Sequence, residues 1–132
     1  MKHTAHRASG IALAIASALV CAGAHAQAGK VVIGFLTDIA GPYGDLDGKN
    51  GALAIQMAID DFGGKVNGQS IELLVADNQN KPDTGAAKAR EWFDTQQVDM
   101  LADVAASATA LAAVEVSKQR NKIVMMSGPG AS

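Results

Sequence analysis

Residues 30–38 read KVVIGFLTD, and the unbroken apolar centre of this stretch is that of a strand buried on both faces of a sheet. The chain next passes through residues 39–48, where Gly41, Pro42, Gly44 and Gly48 mark a loop. A helix is predicted over 50–62, ended by Gly63-Gly64. Its apolar residues Ala52, Ile55, Ile59 and Phe62 share one side and are expected to pack on the sheet. The same unit then recurs. Asn67-Gly68 signals a turn, and 70–76 (SIELLVA) reads as a second strand with an exit loop at 77–81. Pro82 suits the first turn of a second helix running to Thr95, with Ala86, Ala89, Trp92 and Phe93 in one stripe. Residues 100–104 read as a third strand, 107–120 as a third helix with Ala110, Leu111 and Val114 inward, and 122–126 as a fourth strand.

Strict alternation of strand and helix predicts the α/β class with a doubly wound parallel sheet. Right-handed crossovers leave few topologies, of which the order 2-1-3-4 puts the reversal between the first and third strands. Ligands of such sheets bind outside the carboxyl ends of the strands at that reversal. The loops at 39–48 and 105–109 are therefore the ones expected to build a site.

The first 26 residues stand apart from this pattern. Lys2 and Arg7 give a basic start, residues 8–20 form an apolar run too short to span a bilayer, and Ala24-His25-Ala26 supplies small residues for cleavage. Residues 1–26 thus read as a secretory signal peptide, with the mature chain starting at Gln27 in the periplasm. Acylation at Cys21 is the competing reading. The bulky Val20 beside the cysteine disfavours it.

Removing this leader removes Cys21 and all three histidines, His3, His6 and His25. Zinc sites, thiol nucleophiles and imidazole catalysis lose their side chains with them, so no enzyme, metal or cofactor is expected. Without Lys2 and Arg7, nine basic residues face 13 acidic ones, a net charge of −4 with histidine neutral. No basic patch for nucleic acid exists. The 106 remaining residues suffice for one small domain, and they end on GPGAS at 128–132, directly after an apolar strand. The chain reads as a piece of something longer.

Four residues are candidates for ligand contact: Tyr43, Ala105, Ser107 and Thr109. Ser107 follows a buried strand and opens a helix, where its hydroxyl is expected to cap the helix and to meet a ligand carboxylate beside free amides. Thr109 lies in the same first turn, and Ala105 begins the same loop. Tyr43 sits in the glycine-bearing loop after the first strand, where its ring would wall a pocket or lie on the surface as a turn residue. Gly41-Pro42-Tyr43-Gly44 is no phosphate loop, because it lacks the glycine spacing and the lysine. Asp60-Asp61 is expected to be solvated, Trp92 and Met125-Met126 to be core, and the polar loop at 77–80 to be a solvated exit loop rather than a ligand loop.

Three stretches carry a family resemblance: IGFLTDIAGPYGDLDG from Ile33, GALAIQMAIDDFGGKVNGQSIELLVADNQNKPDTGAAKAREWFD from Gly51, and VDMLADVAASATALAAVEVS from Val98 followed by KIVMMSGPGAS from Lys122. In order and spacing they resemble the substrate-binding proteins of branched-chain amino acid type ABC transporters, the type I periplasmic binding family. The resemblance implies two α/β lobes closing on a solute, with residues 27–132 forming an incomplete first lobe. It implies binding of a small carboxylate-bearing solute such as an amino acid, and delivery to an ABC permease in the inner membrane. A sensor module for amides or aromatic acids, presenting solute to a signalling receptor, is the alternative. A secreted α/β enzyme with its catalytic residues elsewhere is the third. The family's ligand carboxylate meets a Ser or Thr and backbone amides after the third strand, which corresponds to Ser107 and its neighbours. The sequence departs from its relatives in having Asp103 where glycine is common, and Ala106-Ser107 where serines are paired. Asp103 is expected to add negative charge beside an anion site.

Overall fold

The computed structural model describes residues 29–130. The leader and its cleavage site, with Cys21, lie outside the described residues, as do Ala131 and Ser132. The elements follow as β1 (Lys30–Thr37), α1 (Gly48–Asp61), β2 (Lys65–Val66), β3 (Gln69–Asp77), α2 (Pro82–Thr95), β4 (Met100–Ala102), α3 (Ser107–Gln119) and β5 (Ile123–Met125).

The sheet order is β2-β3-β1-β4-β5. Its four longer-range strands β3, β1, β4 and β5 are parallel and lie in the expected 2-1-3-4 arrangement. The edge strand β2 is an addition that strand patterning missed. It is two residues long and pairs antiparallel with β3 across Asn67-Gly68, whose positive φ values of 50° and 80° match the backbone of a tight hairpin.

Alternation along β1 sends side chains to two different environments. Val32 and Leu36 join Leu101, Trp92, Phe93 and Val98 in the main core, which α2 and α3 cover. On α2, the stripe Ala86, Ala89, Trp92 and Phe93 is buried as the spacing predicts. On α3, the inward stripe is Thr109, Ala110, Ala113, Val116 and Ser117, whereas Leu111 and Val114 are exposed. Their predicted burial is thereby corrected: small side chains face α2 because the two helices approach closely there, and the larger apolar residues turn outward. Gly85 on α2 is part of this contact, for a Cβ there would lie 2.5 Å from the Thr109 methyl.

Phe35 points to the other side of the sheet, toward α1, where a Cβ on Gly51 would meet its ring at 2.8 Å. The α1 stripe is only partly buried. Ile59 is inside, Ala52 and Ile55 are half-buried, and Phe62 is 65% exposed at the helix end. Phe62 therefore does not pack on the sheet as its spacing suggests, because the chain turns away at Gly63 and Gly64, both with positive φ. Among the described residues no helix is long and apolar enough to cross a membrane.

Candidate functional site at the carboxyl edge of the sheet

The loop after β1 is organised by its own first residue. Asp38 is buried, and its carboxylate accepts the Gly41 and Tyr43 amide hydrogens, each at 3.1 Å. The carbonyl of Tyr43 in turn accepts from the Leu46 and Asp47 amides, which winds the chain into α1. Tyr43 is thereby held half-buried at the edge of the sheet. A Cβ at position 41 would collide with the Asp38 carboxylate, so a larger residue there would displace the carboxylate from these two bonds. Asp38 escapes motif reading. The signal for it is a buried acid directly after an apolar strand and three residues before a glycine.

The neighbouring loop at 77–80 braces the same edge. The Asp77 carboxylate accepts from the Ile39 and Gln79 amides at 3.2 and 2.8 Å. Asn78, 1% exposed, donates to the Leu36 carbonyl at 3.1 Å and accepts from the Asn80 amide. Asn78 is thus internal structure, not the solvated residue expected of an exit loop.

On the other side of the reversal, β4 runs into α3. Ala106 occupies the N-cap with extended backbone, and no side chain caps the helix. Ser107 is the first helical residue and is half-buried, so its expected role as a cap is corrected. Its hydroxyl and the first-turn amides, which have no partner within a helix, lie at the sheet's carboxyl edge. Ala105 is buried close to the loop after β5, since a Cβ on Gly128 would lie 3.2 Å from the Ala105 Cα. Thr109 is wholly buried against Gly85 at the α2–α3 contact, and its hydroxyl has no hydrogen-bond partner. The fold therefore brings Tyr43, Ala105 and Ser107 to loops that leave the adjacent strands β1 and β4, and turns Thr109 into the helix pair.

Asp103 behaves differently from the expectation. Its carboxylate accepts from the Ser127 amide at 3.3 Å, the Ser127 hydroxyl at 2.7 Å and the Gly128 amide at 3.2 Å. The charge is directed at the loop after β5 and is hydrogen-bonded there.

Below this edge, between α1 and β4–β5, lies a groove of about 340 Å³. Phe35, Ile55, Ala102 and Met125 make it apolar, while Asp47 and Asp103 stand at its margin. Met125 is 63% exposed here rather than core, because it points to the α1 side, which α1 covers only in part. Burial pushes the Asp47 carboxyl above its ordinary range, the Thr37 hydroxyl offsets part of this, and the Asp103 and Asp38 charges add to the rise. Thr37 does not reach hydrogen-bond geometry, so both Asp47 oxygens and the Thr37 hydroxyl lack partners. A cleft of about 660 Å³ exists at the opposite, amino edge of the sheet, around Lys30, Phe93, Asp99 and Lys122. It lies at the wrong end of the strands for a ligand site of this fold class. No group of three or more metal-ligating side chains is present among the described residues.

A scan of protein families matches residues 30–132 to the periplasmic binding protein family. A periplasmic binding protein from Burkholderia mallei is 49% identical with a TM-score of 0.76, over 78% of this chain and 28% of its own. A branched chain amino acid ABC transporter periplasmic ligand-binding protein from Burkholderia xenovorans LB400 is 42% identical with a TM-score of 0.74, over 77% of this chain and 27% of its own. A solute-binding protein of an ABC transporter from Rhodopseudomonas palustris BisB5, in complex with 3,4-dihydroxybenzoic acid, is 25% identical with a TM-score of 0.72, over 76% and 28%. No curated protein matches the chain. The chain spans little more than a quarter of the length of these solved structures. The sheet order, the loops gathered at its carboxyl edge and the match over residues 30–132 agree: the chain belongs to the periplasmic binding protein family, with the type I fold.

Proposed function

We propose that this chain is first-lobe sequence of an extracytoplasmic solute-binding component of an ABC importer, and that it takes a small carboxylate-bearing solute without chemical turnover. In this reading residues 1–26 are a cleaved secretory signal, residues 27–132 belong to the first lobe, and the loaded protein delivers its solute from the periplasm to an inner-membrane permease. The observation that carries the reading is the start of α3, where an uncapped helix end and the Ser107 hydroxyl lie beside the point of strand reversal. Unpaired amides and the helix dipole favour an anion there. Ala105 and Ala106 add little side-chain bulk to this loop, and Tyr43 supplies a ring on the neighbouring loop.

A carboxylate is common to amino acids and to the dihydroxybenzoic acid held by the Rhodopseudomonas relative. The solute is therefore assigned as a carboxylate, and the rest of its body is set by the second lobe. Calorimetry on the whole protein with isoleucine and 3,4-dihydroxybenzoate, before and after Ser107→Ala, tests this. Loss of one hydrogen bond to a charged group lowers affinity by about 1.5–3 kcal/mol, a factor of ten to more than a hundred. Because Ser107 makes no capping bond, its melting temperature should stay with the parent's. Equal affinity in the parent and the variant removes Ser107 from the site.

A further inference from the structure

Asp103 holds a conformation and a set of bonds that its place in the sheet does not require. It directly follows β4 with φ +47°, a left-handed backbone that side chains rarely adopt outside glycine, asparagine and aspartate. Its own amide donates to the Met125 carbonyl at 2.7 Å, which continues the β4–β5 pairing by one bond. Its carboxylate then receives three donors from a single short segment, the Ser127 amide, the Ser127 hydroxyl and the Gly128 amide. Two successive backbone amides converging on one oxygen, Oδ1, with a hydroxyl on the other, is the arrangement of an anion-binding nest. Gly128 also lies close against Ala105, where an added Cβ would come within 3.2 Å of the Ala105 Cα, so the nest abuts the loop that opens α3.

We propose that residues 127–128 form a carboxylate-binding nest that Asp103 fills from within. The inference rests on the solute-binding reading for its consequence: with the nest occupied, the anionic end of a solute is sent to the start of α3, and the end that meets residues 127–128 carries a neutral or donor group. Asp103 is then a positioning residue that sets which way round the solute lies. A second carboxylate on the solute would be repelled by it. Donors that could have held an anion are spent on an internal one, and the loop after β5 is fixed against the loop after β4 before any solute arrives.

The test needs no solute. Asp103→Gly deletes the carboxylate at a position whose backbone glycine adopts without strain, so the fold tolerates it. Amide exchange of Ser127 and Gly128 is followed by NMR on the whole protein, in the parent and the variant, with and without formate as the carboxylate probe. In the parent, exchange at both amides is slow and indifferent to formate. In Asp103→Gly it is at least about tenfold faster, and added formate slows it again by refilling the nest. Exchange in the variant as slow as in the parent overturns the internal occupancy. Failure of formate to restore protection overturns the nest, and equal protection of the parent by formate shows its donors to be free. If isoleucine and 3,4-dihydroxybenzoate both fail in calorimetry, the solute reading falls while these exchange results still decide the role of Asp103.

Discussion

The two faces of the sheet are built on opposite plans. The face under α2 and α3 buries Val32, Leu36, Leu101, Trp92 and Phe93 almost completely, with Ala86, Ala110 and Ala113 in the same cluster, and the helices above it meet at Gly85 and Thr109. The face under α1 leaves Phe62, Ile123 and Met125 largely exposed. The difference is cover: two packed helices lie over one face and a single helix over the other. Small residues let α2 and α3 sit close to each other and to the sheet, whereas α1 covers only part of its own side, leaving the groove.

The contrast is sharpest for Trp92 and Met125. Trp92 is 3% exposed and would be struck by a Cβ at Gly34 at 2.7 Å, so the space around it is full. Trp92→Ala should cost about 3–5 kcal/mol, because transfer and cavity terms both apply. Met125→Ala should stay within about 0.5 kcal/mol of the parent, as for other exposed positions. Urea denaturation of both variants measures the pair. Similar losses in the two would erase the distinction between the faces.

A second experiment probes the helix pair that makes the closed face possible. Gly85→Ala drives a methyl to 2.5 Å from the Thr109 methyl and should cost about 1–3 kcal/mol. Thr109→Ala removes both that methyl and a buried hydroxyl without a partner, so it should relieve the clash. The double variant is then more stable than Gly85→Ala alone, a non-additivity expected of residues in contact. Simple additivity would mean that the helices shift apart instead of clashing. The same pair bears on the site, since a Thr109→Ala protein with unchanged solute affinity confirms that this hydroxyl serves packing.

The closed face was largely legible in the sequence and the open one was not. Runs such as KVVIGFLTD and the stripe Ala86, Ala89, Trp92 and Phe93 state their burial through period and composition. On α3, Leu111 and Val114 mislead because size is a poor guide where two helices touch: Ala113 and Ser117 face inward there for the reason that they are small. Phe62 and Met125 mislead because periodicity names a face without saying what covers it. The strand edge that carries the candidate site was legible from topology, and so was the place of Ser107 at the start of α3. Asp38 was not, and Asp103 was visible only as a charge, since each makes its bonds to amides that the sequence does not bring into view.

The smallest expected effect lies where the two faces share an edge, and it concerns two carboxylates with opposite fates. Asp38 is buried and accepts two amide hydrogens, so Asp38→Asn removes a paired charge and should destabilise. Asp47, on the open side, has neither oxygen paired, and burial raises its pKa above the ordinary value of 3.8. A native pKa above the unfolded one means that the folded protein holds this proton more tightly than the unfolded chain. Stability is therefore fullest below the ordinary carboxylate pKa, falls as pH rises from there to the raised folded value, and stays at the lower level through neutrality. Asp47→Asn removes this penalty. Because the group is partly open to water, the gain at about pH 7 should be only about 0.5–1 kcal/mol. The gain should shrink as pH falls toward the ordinary carboxylate range, because protonation of the parent carboxyl removes the same penalty. Urea midpoints of parent and variant across that range measure it. A variant less stable than the parent at neutral pH would show that the Asp47 charge has a partner, and the two sides of the edge would then follow the same rule.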